Sequence, residues 1–145
     1  MITLYTLSGI PGSGKTTLAH ELGEAHNAIV HSYDDMPNAN TRASMDGSVK
    51  QAWLKAIRED LEAGKSVVCD GLNITAEQRK EVLSAVSDIN CKKVLVVTNV
   101  PLETCLQRNR ERKARLPDFV VTQSAERMES PTEDEGWDQI QVYSK

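Results

Sequence analysis

Eight residues near the start of the chain, Gly9-Ile10-Pro11-Gly12-Ser13-Gly14-Lys15-Thr16, match the spacing G-x-x-x-x-G-K-[ST] and follow an apolar run, Ile2 to Leu7, that reads as a strand. The chemistry this spacing serves is phosphate binding. Glycine backbone can turn its N–H groups inward, and a helix beginning near Lys15 aims the positive end of its dipole at the same point. Gly9, Pro11, Gly12, Ser13 and Gly14 then form an anion cradle for a nucleoside triphosphate, ATP or another NTP. Lys15 reaches the β/γ-phosphates as a point charge and the Thr16 hydroxyl ligates Mg²⁺. Thr17 continues the helix and completes the nucleotide-binding set. A glycine turn closing a hairpin is excluded, because Leu18, Ala19 and Leu22 continue on one side of a helix.

Phosphoryl transfer also needs a group to deprotonate or orient the nucleophile, and cations over the moving phosphoryl. Asp34 and Asp35 close a second strand candidate, residues 28–33, which Pro37 forbids from continuing. Ligands of an open parallel sheet bind outside the carboxyl ends of its strands, so these aspartates face the nucleotide. Asp34 is the candidate base on an acceptor hydroxyl, against a metal-binding or merely solvated carboxylate. Alternation along an extended segment turns Asp35 to the other face, leaving it the alternate. Asp70 ends a third strand, residues 66–70, and is followed by Gly71-Leu72-Asn73. It suits the Mg²⁺ shell or the acceptor, and Asn73 is a weaker polar candidate on the acceptor side. Arg108 and Arg112, four apart on a helix that starts after Pro101, project together as a lid over the β/γ-phosphates. They lie in a run, Arg108 to Arg115, with five cations and one anion, on a chain whose net charge is −4. The positive charge is therefore concentrated, whereas the acidic remainder argues against a protein that coats nucleic acid by charge.

The elements that must place these residues follow from periodicity. A stripe of Val49, Trp53, Ile57 and Leu61 gives an amphipathic helix from Ser48 to about Gly64, with Trp53 in the core. Thr75 is a helix N-cap with Gln78 as its capping-box partner. Val94-Leu95-Val96-Val97 is apolar at every position, as in a parallel strand covered on both faces. A short helix covers 119–128 and an edge strand 140–143, while 38–47 reads as a mobile loop. At 145 residues, 39% hydrophobic and 26% charged, the composition is that of one globular domain, 1–145. No basic leader or bilayer-length apolar run is present, which implies a cytoplasmic protein with no membrane partner. Cys69, Cys91 and Cys105 lack paired or metal-ligand spacing and read as buried thiols without chemistry.

Together these residues resemble the phage and animal polynucleotide 5′-kinases and their wider family of small phosphate-loop kinases, which includes tRNA-modifying members. The resemblance rests on GIPGSGKTT, Asp34-Asp35, Asp70-Gly71-Leu72-Asn73, Val100-Pro101 with Gln107-Arg108-Asn109-Arg110-Glu111-Arg112, and the tail from Arg127 to Asp138 with its order E-x-P-T-x-x-E-G-aromatic. It implies a three-layer αβα P-loop NTPase fold of nucleoside-kinase type, with a mostly parallel sheet of four to five strands and a helical arginine lid. It also implies an ATP or NTP donor with Mg²⁺, Asp34 as base on a 5′-hydroxyl, Arg112 on the donor phosphates, and adenine binding near the lid and tail. Where the phage kinases carry an arginine three residues beyond the base, this chain has Pro37, and the nearest arginine is Arg42. The acceptor is then a nucleic-acid hydroxyl, either a 5′-end with Arg42 substituting, a modified base of phage DNA, or tRNA. A nucleoside or metabolite kinase is the alternative. A nucleotide-dependent switch that phosphorylates no acceptor is the rival of another class. A phage-encoded protein acting in the host cytoplasm agrees with the first reading.

Overall fold

The computed structural model describes residues 2–39, 47–112 and 115–144. In chain order they form β1 (Thr3–Ser8), α1 (Lys15–His26), β2 (Ile29–Ser32), a 3-10 turn (Tyr33–Asp35), α2 (Ser48–Glu62), β3 (Val67–Asp70), α3 (Ala76–Ala85), β4 (Lys92–Thr98), α4 (Leu102–Glu111), α5 (Asp118–Arg127), a second 3-10 turn (Glu133–Glu135) and β5 (Gln139–Tyr143). The five strands make one sheet in the order β2-β3-β1-β4-β5, parallel at every pairing.

Side-chain alternation explains why the central strands are apolar throughout. On β4, Val94 and Val96 pack with Leu18, Ala19 and Leu22 of α1, while Leu95 and Val97 pack with Trp53, Leu54, Ile57 and Leu61 of α2 and Val82 of α3. Helices therefore cover both faces, giving the expected three layers. A third cluster, Ile10, Ile74, Val100, Cys105 and Val121, seats α4 and α5 over the carboxyl end of the sheet beside the phosphate loop. The capping box at Thr75 is present: the Gln78 N–H donates to Thr75 Oγ1 at 3.1 Å, and the Gln78 side chain receives the Thr75 N–H. All three cysteines are free and buried, and no helix among the described residues is long and apolar enough to cross a membrane.

One expectation needs correction. Asp34 and Asp35 do not lie on an extended segment: β2 stops at Ser32 and the chain enters a 3-10 turn, so alternation does not decide where either side chain points. The helix expected to carry the lid arginines ends at Glu111, and Arg112 is its C-cap with φ −79 and ψ 148, so the chain leaves the helical path only beyond Arg112. The expected loop at 38–47 falls largely outside the described residues, and Arg42 with it.

Candidate active site

The phosphate loop leaves β1 at Ser8 and enters α1 at Lys15, with Pro11 and Ser13 buried. Its shape depends on close approaches to two neighbouring elements. A Cβ on Gly9 would lie 1.9 Å from Thr98 Oγ1 at the end of β4, so this glycine is needed for space, and its φ is not left-handed. Gly12 combines φ +83 with contact against α4, where a Cβ would lie 2.3 Å from the Cys105 carbonyl oxygen. Gly12→Ala is accordingly expected to lower the melting temperature and abolish nucleotide binding. The left-handed conformation alone costs about 1–2 kcal/mol, and backbone must move as well; thermal unfolding with and without nucleotide reads both. Ser13 is spent inside the loop, its Oγ 2.6 Å from Thr98 Oγ1 and its N–H donating to the Ile10 carbonyl at 3.2 Å. It shapes the cradle from within.

One cleft of about 700 Å³ opens beside the start of α1, and Lys15, Thr16, Asp34, Asp35, Asp70, Asn73 and Arg112 all line it. At its base the Thr16 hydroxyl donates to Asp70 Oδ2 at 3.2 Å, and Ser32 Oγ donates to the same oxygen at 2.8 Å. Asp70 is 6% exposed, so its carboxylate is held in place for any cation seated there. Those oxygen donors fit Mg²⁺, which takes one or two carboxylates and completes its shell with phosphate and water. Among the described residues no group of three His, Cys, Asp or Glu could hold a metal without such help. Burial pulls the Lys15 ammonium below the ordinary lysine value, the Asp70 and Asp34 carboxylates oppose that shift, and Arg112 adds to it. Lys15 therefore senses both candidate carboxylates and one lid arginine at close range.

A second cavity, about 250 Å³, lies beside the loop and is lined by Ser13, Gly14, Thr17, Glu21, Thr98, Arg108 and Tyr143. Arg108 sits over the loop there, its Nη1 3.5 Å from where a Cβ on Gly14 would be. Arg108 lines the second cavity and Arg112 the main cleft, each beside the phosphate loop. Asn73 is 5% exposed, and its amide donates to the Leu7 carbonyl at 2.8 Å, fastening the turn after β3 to β1.

Sequence reasoning missed several cleft residues. Ser32, two before Asp34, is found only through its bond to Asp70. Lys50 and Gln51 of α2 and Gln78 and Glu81 of α3 form the far wall, where Lys50 Nζ meets Glu81 Oε1 at 3.2 Å. Trp53 is in the core as expected, at 2% exposed. Its ring also borders the cleft, edge-on to Tyr33 with centroids 5.5 Å apart.

The family model described as an AAA domain matches residues 4–131. An L-seryl-tRNA(Sec) kinase of Methanococcus maripaludis is 23% identical over 142 residues, covering 93% of this chain and 56% of that protein. Protein kti12 of Schizosaccharomyces pombe is 25% identical over 152 residues, covering 93% and 54%. The chain thus spans about half the length of the curated relatives it matches. Among solved structures, a sugar kinase from Janibacter superposes with TM-score 0.75 at 17% identity, over 99% of this chain and 86% of that one. A chain of the Pnkp1/Rnl/Hen1 RNA repair complex gives 0.77 at 17% identity, over 87% and 43%. These likenesses bear out the three-layer fold with its parallel sheet.

Proposed function

The chain belongs to the AAA domain family and has the fold of the small P-loop kinases, and from that premise we propose that it transfers the γ-phosphate of a nucleoside triphosphate to a hydroxyl group. The observation that carries this reading is the meeting of Lys15, the Thr16–Asp70 pair, Asp34 and Arg112 in one cleft large enough for an acceptor. Lys15 neutralises the β/γ-phosphates. Thr16 and Asp70 would hold Mg²⁺, which would offset the charge developing on the phosphates. Asp34 takes the proton of the attacking hydroxyl, with Asp35 beside it on the acceptor wall. Arg112 stabilises the transferring group. Arg108, with Thr17, holds the nucleoside side of the donor in the second cavity. We propose a nucleic acid as the source of the hydroxyl, in line with relatives named for seryl-tRNA and RNA repair. The similarity to protein kti12, whose name states no acceptor, favours the switch as the second reading.

Incubation with γ-labelled ATP and Mg²⁺ against 5′-hydroxyl DNA and RNA, modified-base DNA, tRNA, nucleosides and sugars tests it. Label is expected on a nucleic acid. Label on a nucleoside or sugar moves the acceptor to small molecules, and release of label only as phosphate favours the switch.

That the two arginines line different cavities makes a further expectation. Arg112→Ala lowers kcat by about 10³-fold or more, within the range seen for arginine stabilisation of a phosphoryl group, with nucleotide KM little changed. Arg108→Ala raises nucleotide KM more than it lowers kcat. Steady-state kinetics on both variants checks the division, and equal effects on kcat would return the two to a joint lid.

A further inference from the structure

Arg79 is fully buried, at 0% exposed, on the core side of α3. Removing a guanidinium from water costs several kcal/mol, and replacing a whole buried ion pair by apolar residues of like volume is often neutral or stabilising. Each of the three guanidinium nitrogens of Arg79 donates to a defined acceptor. Nε and Nη2 bind Glu135 Oε1 and Oε2 at 2.9 and 3.0 Å, and Nη1 donates to the Asn73 carbonyl at 3.2 Å. Glu135, in the tail turn, is itself fixed by the Trp137 Nε1–H at 3.1 Å and the Thr132 N–H at 3.2 Å.

The Asn73 carbonyl is a junction. It also accepts from Ser8 Oγ at 2.7 Å, and the neighbouring Leu72 carbonyl accepts from the Gly9 N–H at 2.9 Å. With the Asn73 amide on Leu7, the turn after β3 is stitched to β1 where the phosphate loop begins. Asn73 has φ 44, a left-handed conformation that asparagine adopts more readily than other residues with a side chain. Three residues earlier in that turn stands Asp70, facing Thr16.

We infer that Arg79, locked by Glu135, is a positioning residue that holds the Asp70–Asn73 turn against the phosphate loop and so sets the affinity for the Mg²⁺ that accompanies the nucleotide. The inference rests on the proposed function, in which Thr16 and Asp70 receive that ion. Loss of outer contacts that orient ligands typically weakens metal binding 10- to 100-fold.

The test follows binding of a fluorescent ATP analogue to the full chain across a Mg²⁺ titration, with thermal melting alongside. Three variants are compared with wild type: Arg79→Lys, which keeps the charge and loses the fork; Glu135→Gln; and the pair Arg79→Met with Glu135→Leu, which replaces the buried ions by apolar volume. Folded variants are expected to need about ten-fold more Mg²⁺ for half-maximal binding, with affinity at saturating Mg²⁺ within about two-fold of wild type. An unchanged Mg²⁺ midpoint in any folded variant overturns the inference, and so does loss of folding in all three, which makes the pair purely structural. Wild-type protein that binds the analogue without regard to Mg²⁺ overturns the functional reading, and this inference with it.

Discussion

Lys15→Met is expected to reduce phosphoryl transfer by about 10³-fold or more, the order of loss on removing a preorganised cation from a transferring phosphoryl group. The same change leaves the nucleotide-free fold at least as stable as wild type. Burial disfavours the charged form of Lys15, so its folded pKa lies below the ordinary value of 10.5. Between those two values the unfolded chain binds more protons, and stability rises with pH. Below the folded pKa the ammonium therefore subtracts stability, and that subtraction fades as pH climbs through the folded value towards 10.5. Methionine keeps the stem and removes the charge. Melting curves at neutral and alkaline pH should place the variant at or above wild type, with the gap closing as pH rises. Near-wild-type transfer in Lys15→Met would remove the cleft as the active site, whatever its melting temperature.

Asp34→Asn is expected to lower transfer by about 10²- to 10⁴-fold, the usual contribution of general acid–base catalysis, with Mg·ATP affinity almost unchanged. Asparagine keeps the volume and reach of the side chain and cannot accept the hydroxyl proton. Asp35→Asn should do less. The basis for that difference is the pull of Asp34 on Lys15, since both carboxylates share one 3-10 turn and both line the cleft. Transfer rate and nucleotide affinity measured for both variants over a Mg²⁺ series separate the roles. Recovery of Asp34→Asn by excess Mg²⁺ or by Mn²⁺ would make Asp34 a metal ligand, displacing the assignment to Asp70.

What the sequence made legible is local. The phosphate loop, the strand candidates, the Thr75 capping box and the Trp53 core position each depend on residues within one or two turns of one another, and the structure agrees with all of them. The Arg108–Arg112 spacing depends on a helix that lasts to its final turn, and α4 runs to Glu111 with Arg112 as its C-cap. Asp34 and Asp35 were found for the right reason, a strand end, and ranked for the wrong one. The far wall of the cleft gave no signal at all. Lys50, Gln51 and Glu81 look like ordinary outward positions on amphipathic helices, and only the packing of α2 beside α3 turns them towards a cavity.

The central place of β1 has a consequence for the order of assembly. This strand is made before both of its partners: it pairs on one side with β3, Leu4 against Val67, and on the other with β4, Thr3 against Lys92. Ser13 of the phosphate loop meets Thr98 across 85 residues of sequence. Loop-closure entropy must be overcome before such distant pairings return any energy, which makes them slow to form. During synthesis the nucleotide site therefore matures only after β4 has emerged, although its signature residues come earlier. A nucleotide that binds the finished cradle and not the nascent chain then draws the folding equilibrium towards completion by mass action, so the ligand acts as a late folding partner before it is ever a substrate.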